Sequence, residues 1–214
     1  MAEIACYMDQ IMFTGIIKSF GKIIDLNDTN GDLSISIKTD LSLITTRVGD
    51  SICCSGICLT ALEIKNNIFK VELSKETLNV TTAKKWKIGT ILNLELSLNL
   101  GEQIGGHILS GHIDGIAFLA NKRDDKGSKI LDFKVSKDIL KYIVKKGSVA
   151  IDGVSLTINS VNKNNFSVNI ISHTLKETTI KNLNINDKVN IEVDSMARYA
   201  FHSAENYMKS IKNV

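Results

Sequence analysis

The 214-residue sequence contains no proline, and aromatic residues make up only 6% of it. Turns must therefore come from glycine, asparagine and aspartate, whose backbones tolerate the conformations that tight turns require. No apolar run approaches the roughly 20 residues that a membrane-spanning helix needs, so no membrane association is expected. An excess of one charge is also lacking, because 26 basic residues face 23 acidic ones. This balance argues against nucleic-acid binding, which usually involves a concentrated basic face.

Cysteine is scarce as well: the four residues all lie in the first half, and no pair has the Cys-x-x-Cys spacing of a zinc knuckle. A disulfide framework is not expected in a chain of this size whose apolar content is an ordinary 43%. We therefore predict reduced thiols and a cytoplasmic protein. Residues 1–11 carry acidic side chains and no basic ones, so they do not resemble a secretory signal peptide.

The most informative feature of the sequence is an internal repeat. Residues 51–95 align with residues 148–192 without a gap, and about one position in three is identical. A shorter match places residues 14–17 over residues 110–113, so each copy opens with a hydroxyl-bearing residue followed by glycine. The repeat is too long for a solenoid unit and predicts two copies of a small domain. The predicted boundaries are an extension at 1–11, domains at 12–98 and 99–194, and a helix at 195–214.

Both copies contain segments in which apolar and polar residues alternate, the pattern of a strand with one buried face. The clearest are residues 33–37, 69–73 and 92–98 in the first copy, and residues 166–170 and 189–193 in the second. We expect their polar side chains to point outward. Five or six such strands per copy predict a small closed barrel, which leaves no exposed sheet edge.

Two segments have helical features. Ser136 is a suitable N-cap for a short helix over residues 137–145, which Gly147 would end. From Asp194 onward, apolar residues recur at helical spacing. Such a tail helix carries an apolar stripe with little to cover it, which indicates either oligomerisation or packing against its own barrel.

Six motifs follow one another along the chain. They are Met-Phe-Thr-Gly-Ile at 12–16, Gly-Ile-Cys-Leu-Thr at 56–60, Lys-Glu-Thr-Leu at 75–78, Ile-Gly-Gly-His-x-x-Ser-Gly-His at 104–112, Ile-Asp-Gly-Val-Ser-Leu-Thr at 151–157 and His-Thr-Leu at 173–175. Each alone is weak, but in this order, on a duplicated framework, they are specific. Together they resemble the riboflavin synthase family, a lumazine-binding family of duplicated barrels, over about residues 12–200.

The resemblance implies an all-β fold: two similar six-stranded Greek-key barrels in tandem, plus a C-terminal α-helix that helps to build a homotrimer. Each barrel would bind one 6,7-dimethyl-8-ribityllumazine, and the active site would form where the first barrel of one subunit meets the second barrel of another. The expected enzyme is a transferase that converts two such molecules into riboflavin and 5-amino-6-(D-ribitylamino)uracil. It would need no added cofactor and no metal, and association with lumazine synthase is a further expectation.

This chemistry requires two like pockets with unlike side chains. The C7 methyl of the electron-poor substrate ring is acidic, and its anion can attack a second ring. Holding the two rings face to face contributes ~7–11 kcal/mol in favourable cases. The rings play different roles, so the two copies should differ at the site. They differ where Cys58 aligns with Ser155, His112 with Ile16, and Glu76 with His173.

The resemblance also implies roles for individual residues. His112 would be the general acid/base, because histidine titrates near neutral pH, while Cys58 and Ser51 would donate protons or assist nucleophilic attack. Phe13 would pack near the rings, and Asp194 would shape the subunit junction. The donor pocket would comprise Gly15, Ile16, Ile17, Ser155, Leu156, Thr157, Asn169, Ile170, Ile171, Ser172, His173 and Thr174, with Lys146 close by. The acceptor pocket would comprise Ile57, Cys58, Leu59, Glu72, Leu73, Ser74, Lys75, Glu76, Thr77, Ser110, Gly111 and His112.

Three positions depart from the family pattern. Eleven residues precede Met12, where members of the family usually begin. This extension is expected to be turned away from Phe13 or disordered, or else Met1 is an upstream start. Ser172 replaces a usual proline, which we expect to loosen a loop. Ser74 replaces a residue that is commonly apolar.

Other interpretations stay open at this point. His107 is interpreted as structural, since Gly105 and Gly106 beside it favour tight backbone packing. Duplicated barrels also occur in non-catalytic antenna proteins that carry lumazine or flavin, although here the polar residues of both predicted pockets are retained. A pair of barrels that binds RNA would need a basic stripe with exposed aromatic residues, which this composition does not favour.

Overall fold

The computed structural model describes residues 12–29 and 31–212 of the chain, so the extension at 1–11 lies outside the described residues. Its first sheet consists of β1 (Ser19–Thr29), β2 (Asp32–Thr39), β3 (Ser51–Cys54), β4 (Ile57–Thr60), β5 (Glu63–Lys65), β6 (Ile68–Leu73) and β7 (Ile91–Leu96). The strands are antiparallel, in the order β4-β3-β7-β1-β2-β6-β5. Only Ala61 and Leu62 separate β4 from β5, and the Leu62 N–H donates to the Lys70 carbonyl at 2.8 Å. β4 and β5 thus behave as one interrupted strand that joins the two edges of the sheet.

The second sheet is a closed barrel of six antiparallel strands. They are β8 (Gly115–Asp125), β9 (Ser128–Lys134), β10 (Ser148–Ile151), β11 (Val154–Val161), β12 (Asn165–Ile171) and β13 (Lys188–Val193). Their order around the barrel is β10-β11-β12-β9-β8-β13. When β4 and β5 are counted as one strand, the first sheet has the same neighbours. The predicted all-β fold of two related barrels is therefore confirmed.

Each barrel has its own apolar core. Ile35, Phe69 and Leu94 are at most 1% exposed inside the first barrel. In the second barrel the rings of Phe133 and Phe166 stack with their centroids 5.8 Å apart. Burying a side chain of this size contributes about 1.5–3 kcal/mol, so the two cores are the main source of stability.

The prediction that the polar residues of β7 and β13 point outward is wrong. Asn93, Glu95, Asn190 and Glu192 are at most 5% exposed, which is as buried as their apolar neighbours. The reason is that these strands face the junction between the barrels, so both of their faces are covered. The barrels are consequently joined through buried polar side chains.

Short helices connect the strands. They are α1 (Lys75–Val80), α2 (Lys137–Leu140) and α3 (Ser172–Glu177), with 3-10 helices at Thr82–Lys85 and Thr179–Asn182. The alternating pattern did not predict α1 and α3, because six-residue helices contain too few turns to show a helical period.

The helix predicted over residues 137–145 is shorter than expected. Ser136 caps it as predicted, since its hydroxyl accepts the Ile139 N–H at 3.4 Å. The N–H groups of Tyr142 and Ile143 then bond to carbonyls three residues back, at 3.0 Å each. This tighter turn ends the α-helix at Leu140.

The described chain ends in α4 (Ser195–Lys212), which is the predicted tail helix. Phe201 packs edge-on against Tyr142 of the second barrel, with ring centroids 5.3 Å apart. Other apolar residues of α4 are exposed, namely Met196, Tyr199, Tyr207, Met208 and Ile211. The helix thus packs on its own barrel and still has apolar surface to cover. Within the described ranges, no helix has the length and apolar character that crossing a bilayer requires.

Candidate functional site

The segments that open the two copies cross between the barrels. We call residues 12–17 the first arm and residues 108–113 the second arm. Phe13 and Leu109, both fully buried, exchange two backbone hydrogen bonds of 2.9 Å. Ile17 of the first arm packs on the core of the second barrel, whereas Ile113 of the second arm packs on the core of the first barrel. Each arm therefore reaches the barrel of the other copy.

The second arm lies against the first barrel at Cys58. The backbone N–H of Cys58 donates to the Gly111 carbonyl at 2.9 Å. Gly111 has a φ of 76°, and a Cβ added there would lie 2.5 Å from the Cys58 Cβ, so only glycine fits. His112, the next residue, is exposed. The structure thus brings Cys58 together with the segment that carries His112, and we call this place the first pocket.

The first arm lies against the second barrel in the same way. The backbone N–H of Ser155 donates to the Gly15 carbonyl at 2.9 Å. Gly15 has a φ of 75°, and a Cβ there would lie 2.6 Å from the Ser155 Cβ. Ile16 follows and is 36% exposed. This second pocket is the counterpart of the first, with serine in place of cysteine and isoleucine in place of histidine.

Cys58 and Ser51 meet in the first pocket. Ser51 is buried at the start of β3, and its side chain hydrogen-bonds the thiol of Cys58. Burial raises the pKa of the Cys58 thiol; the Ser51 hydrogen bond lowers this pKa and the Glu192 carboxylate raises it, both by smaller amounts. The thiol is therefore protonated at neutral pH. This state suits a hydrogen-bond or proton donor better than a nucleophile.

His107 lies beside Ser155 of the second pocket, although the sequence analysis did not include this histidine among the pocket residues. Its Nδ1 lies 2.7 Å from the Ser155 Oγ. The approach depends on Gly106, since a Cβ there would lie 2.1 Å from the Thr14 carbonyl oxygen and 2.7 Å from the Ser155 Cβ. The double glycine before His107 was the one feature of the sequence that could have indicated this close approach to Ser155. It does mark tight backbone packing, but this packing brings the histidine to a pocket residue.

The imidazole of His107 has unused capacity to bind a proton. Its Nε2 is buried and has no hydrogen-bond partner among the described residues. Burial lowers the pKa of His107, and the Asp194 carboxylate raises this pKa by a smaller amount. The ring is therefore neutral at neutral pH, and Ser155 lies beside a base that can accept a proton.

The predicted pocket segments at residues 72–77 and 169–174 begin at the ends of two equivalent strands, β6 and β12, and continue into α1 and α3. Ser74 caps α1, because its hydroxyl accepts the Thr77 N–H at 3.2 Å. Ser172 donates its hydroxyl to the Gly127 carbonyl at 2.7 Å, so the loop that we expected to be loosened is anchored. Asn169 has a buried Oδ1 without a partner in the described part of the chain, which makes it an acceptor available to a ligand.

The other predicted residues differ in what they can offer a ligand. Phe13 is buried between the barrels with Cys53, Leu109 and Ala150, and Cys58 packs against this cluster. Exposed side chains belong to Glu72, Lys75, Glu76, Lys146, Thr157, Ile171 and His173. Core side chains, which leave only backbone atoms for a ligand, belong to Ile57, Leu59, Leu73, Leu156 and Ile170. Thr174 is half-buried at the start of α3.

Comparison with known proteins assigns both copies of the repeat to one family. Residues 14–97 and 110–194 each match the lumazine binding domain. The chain is 40% identical over 199 residues to a riboflavin synthase of Brucella abortus, covering 91% of this chain and 98% of that protein. It is 42% identical to a riboflavin synthase of Photobacterium phosphoreum, covering 88% and 87%. It is 37% identical to a riboflavin synthase of Saccharomyces cerevisiae, covering 86% and 82%.

Solved structures share the fold. LumP complexed with 6,7-dimethyl-8-(1'-D-ribityl) lumazine superposes with a TM-score of 0.76, and LumP complexed with riboflavin with a TM-score of 0.78. Each match covers 85% of this chain and 98% of the other at 22% identity. The likeness concerns the architecture of two tandem barrels.

Proposed function

Because the chain belongs to the riboflavin synthase family, we propose that it converts two molecules of 6,7-dimethyl-8-ribityllumazine into riboflavin and 5-amino-6-(D-ribitylamino)uracil. One molecule gives a four-carbon unit to the other, so the substrate is both oxidant and reductant. The observation that carries the proposal is the pair of related pockets with unlike side chains. Cys58 occupies one pocket, and Ser155 with His107 occupies the other.

We assign the proton-accepting role to the second pocket. Breaking a C–H bond of the substrate C7 methyl leaves a carbanion and requires a base for the proton. The neutral imidazole of His107, hydrogen-bonded to Ser155, can take that proton and become an imidazolium. The Asp194 carboxylate favours the charged ring, because it raises the pKa of His107.

We assign proton donation to the first pocket. The protonated thiol of Cys58 and the hydroxyl of Ser51 are neutral donors, and His112 is exposed beside them as the general acid/base. The Oδ1 of Asn169 and the exposed Thr157 provide polar contacts of the kind that a ribityl chain or a pyrimidine dione needs. The side chain of Lys146 is exposed and makes no hydrogen bond or ion pair with another described residue, so it can approach a bound substrate.

We further propose a homotrimer, in which the first barrel of one subunit meets the second barrel of the next. The exposed apolar residues of α4 support this assembly, because a single chain does not cover them. The free thiols of Cys53, Cys54 and Cys58 support a cytoplasmic location, where thiols stay reduced. Association with lumazine synthase stays a prediction.

Incubation with 6,7-dimethyl-8-ribityllumazine tests the function. We expect riboflavin absorbance to grow with repeated turnover, with two substrate molecules consumed for each riboflavin formed. The variants Cys58→Ser and His112→Gln should turn over more slowly than the parent. Stable stoichiometric binding without any conversion would instead identify a lumazine carrier, and salt-sensitive RNA binding without lumazine affinity would exclude both functions.

A further inference from the structure

A buried carboxylate holds the second arm in place. The Oε1 of Glu192 accepts two hydrogen bonds from Ser110, one from its backbone N–H and one from its hydroxyl, both at 2.7 Å. The Oε2 accepts the Gly111 N–H at 3.0 Å. Glu192 is 5% exposed, so water does not compete for these contacts. The arm cannot shift without breaking a charge-assisted hydrogen bond.

Glu95 makes the same three contacts with the first arm. Its Oε1 accepts the Thr14 N–H at 2.7 Å and the Thr14 hydroxyl at 2.6 Å. Its Oε2 accepts the Gly15 N–H at 2.9 Å. Glu95 is likewise buried. The two carboxylates therefore form a matched pair, and each belongs to the same copy as the arm that it holds.

The glycine that each carboxylate holds also accepts a backbone hydrogen bond from a pocket residue of the other barrel. Gly111 donates its N–H to Glu192 and accepts the Cys58 N–H on its carbonyl at 2.9 Å. Gly15 bridges Glu95 and Ser155 in the same way. Each carboxylate is thus linked through one glycine to a pocket residue across the junction.

We propose that Glu192 and Glu95 are positioning residues for the reaction, each of which fixes the geometry of the pocket in the opposite barrel. The catalytic part of this proposal rests on the proposed function. Glu192 sets the distance between Cys58 and the peptide that carries His112. Glu95 sets the distance between Ser155 and the peptide that carries Ile16. Neither carboxylate has to touch the substrate to do this.

The ionised carboxylate is required because all three contacts come from donors. Burial raises the pKa of both glutamates, whereas the hydrogen bonds from their arms lower it. Glutamine has the same shape but presents an NH2 group to one side of the arm, where another N–H already points. Glu192→Gln and Glu95→Gln should therefore displace one arm each while changing the packing little.

Amide hydrogen exchange tests whether each glutamate holds the pocket of the opposite barrel. In Glu192→Gln, exchange at the Cys58 amide should accelerate by about tenfold or more, while the Ser155 amide stays as in the parent. In Glu95→Gln the pattern should reverse, so each variant is the matched control for the other. Alkylation of Cys58, followed on its own peptide by mass spectrometry, should accelerate only in Glu192→Gln.

The kinetic readout separates positioning from general loosening. A misplacement of about 1 Å can cost up to about 100-fold in rate, so kcat of Glu192→Gln should fall at least tenfold while KM changes less. If either glutamine variant fails to fold, Ser110→Ala and Thr14→Val remove one of the three hydrogen bonds each. These milder variants should give the same crossed exchange pattern with smaller rate losses.

Exchange that accelerates equally at both amides, or only within the barrel that carries the substitution, would overturn the proposal. So would an unchanged kcat in a Glu192→Gln protein whose Cys58 amide exchanges faster. The exchange measurement does not depend on turnover. An inactive parent would therefore refute the proposed function, and with it the catalytic role of the glutamates, while a crossed exchange pattern would still establish their hold on the opposite pockets.

Discussion

Asn93 and Asn190 occupy the same position in the two barrels, and each extends its side-chain amide into the other barrel. The Nδ2 of Asn93 donates to the Asp152 carbonyl at 2.9 Å, and its Oδ1 accepts the Thr179 N–H at 2.8 Å. Asn190 makes the equivalent pair of contacts in the opposite direction. Both side chains are fully buried. The junction between the barrels therefore depends on a reciprocal exchange of hydrogen bonds.

Replacing Asn190 by alanine should weaken this junction. The Nδ2 of Asn190 donates to the Ser55 carbonyl at 2.9 Å, and its Oδ1 accepts the Thr82 N–H at 2.7 Å. The Ser55 carbonyl and the Thr82 N–H would each lose a buried hydrogen bond, so the free energy of unfolding should fall by about 2–4 kcal/mol. Urea denaturation measures the change. The control is Asn27→Ala, which removes an exposed contact and should cost less than about 0.5 kcal/mol. Equal effects of the two substitutions would contradict the assignment.

Asp152 should make stability depend on pH. Burial raises the pKa of Asp152 to about 7, and a hydrogen bond from the Asn190 N–H opposes the increase. In the unfolded chain the pKa of this residue is about 3.9, so between these values the folded protein binds more protons than the unfolded one. The contribution of Asp152 to the free energy of unfolding therefore falls as pH rises through this window. The loss is complete above about pH 7.

The variant Asp152→Asn isolates this effect, since it keeps an acceptor oxygen for the Asn190 N–H and removes the ionisation. We expect it to be more stable than the parent at pH 8, by at most about 4 kcal/mol, which is three pKa units expressed as free energy. Near pH 4 the two proteins should have similar stability. Thermal unfolding across this pH range decides the matter, and a difference that does not depend on pH would count against the raised pKa.

The variant Gly111→Ala should be far more damaging than Gly49→Ala. Gly49 also has positive φ, 100°, but a Cβ added there would meet no atom within 4 Å. Gly49→Ala thus measures backbone strain alone, about 1–2 kcal/mol. At Gly111 the new Cβ also collides with Cys58, which should add about 1–3 kcal/mol and slow turnover. Similar losses of stability in both variants would show that the close approach at Cys58 is unimportant.

His107 should set the acid limb of the activity profile. Because burial lowers the pKa of His107, kcat/KM should decline only when the pH falls below the ordinary range of histidine. His107→Gln should remove this limb and lower kcat by about 10²–10⁴-fold. His202→Gln on α4 is the control, since this exposed ring lies outside both pockets and hydrogen-bonds Asn206 of the same helix. An unaltered pH profile in His107→Gln would exclude the histidine as the base.

The features predicted from the sequence are those that a local pattern determines. Alternation at residues 33–37 and 69–73 predicts β2 and β6, and helical spacing after Asp194 predicts α4. The same alternation misled at Glu95 and Glu192, because a polar residue that faces water and one that faces a second barrel give the same pattern.

The site was predicted less completely, because its contacts join distant parts of the chain. The motifs predict Cys58 and Gly111 as pocket residues, but they do not show that the backbone N–H of Cys58 donates to the carbonyl of Gly111. The double glycine favours a structural His107, and no local pattern shows that its partner Ser155 lies 48 residues away, in β11. Such pairs become visible only when the register of every strand is known.

The crossed arms have an evolutionary consequence. A single copy on its own would leave its arm without a barrel to bind, and the amide equivalent to that of Cys58 would lose its acceptor. A one-barrel ancestor could satisfy both only by pairing with an identical molecule and exchanging arms. Carrying both copies on one chain keeps this exchanged geometry and lets the two halves differ in sequence. An assembly of two identical copies would have the same side chain in both pockets, whereas this chain has Cys58 in one and Ser155 in the other.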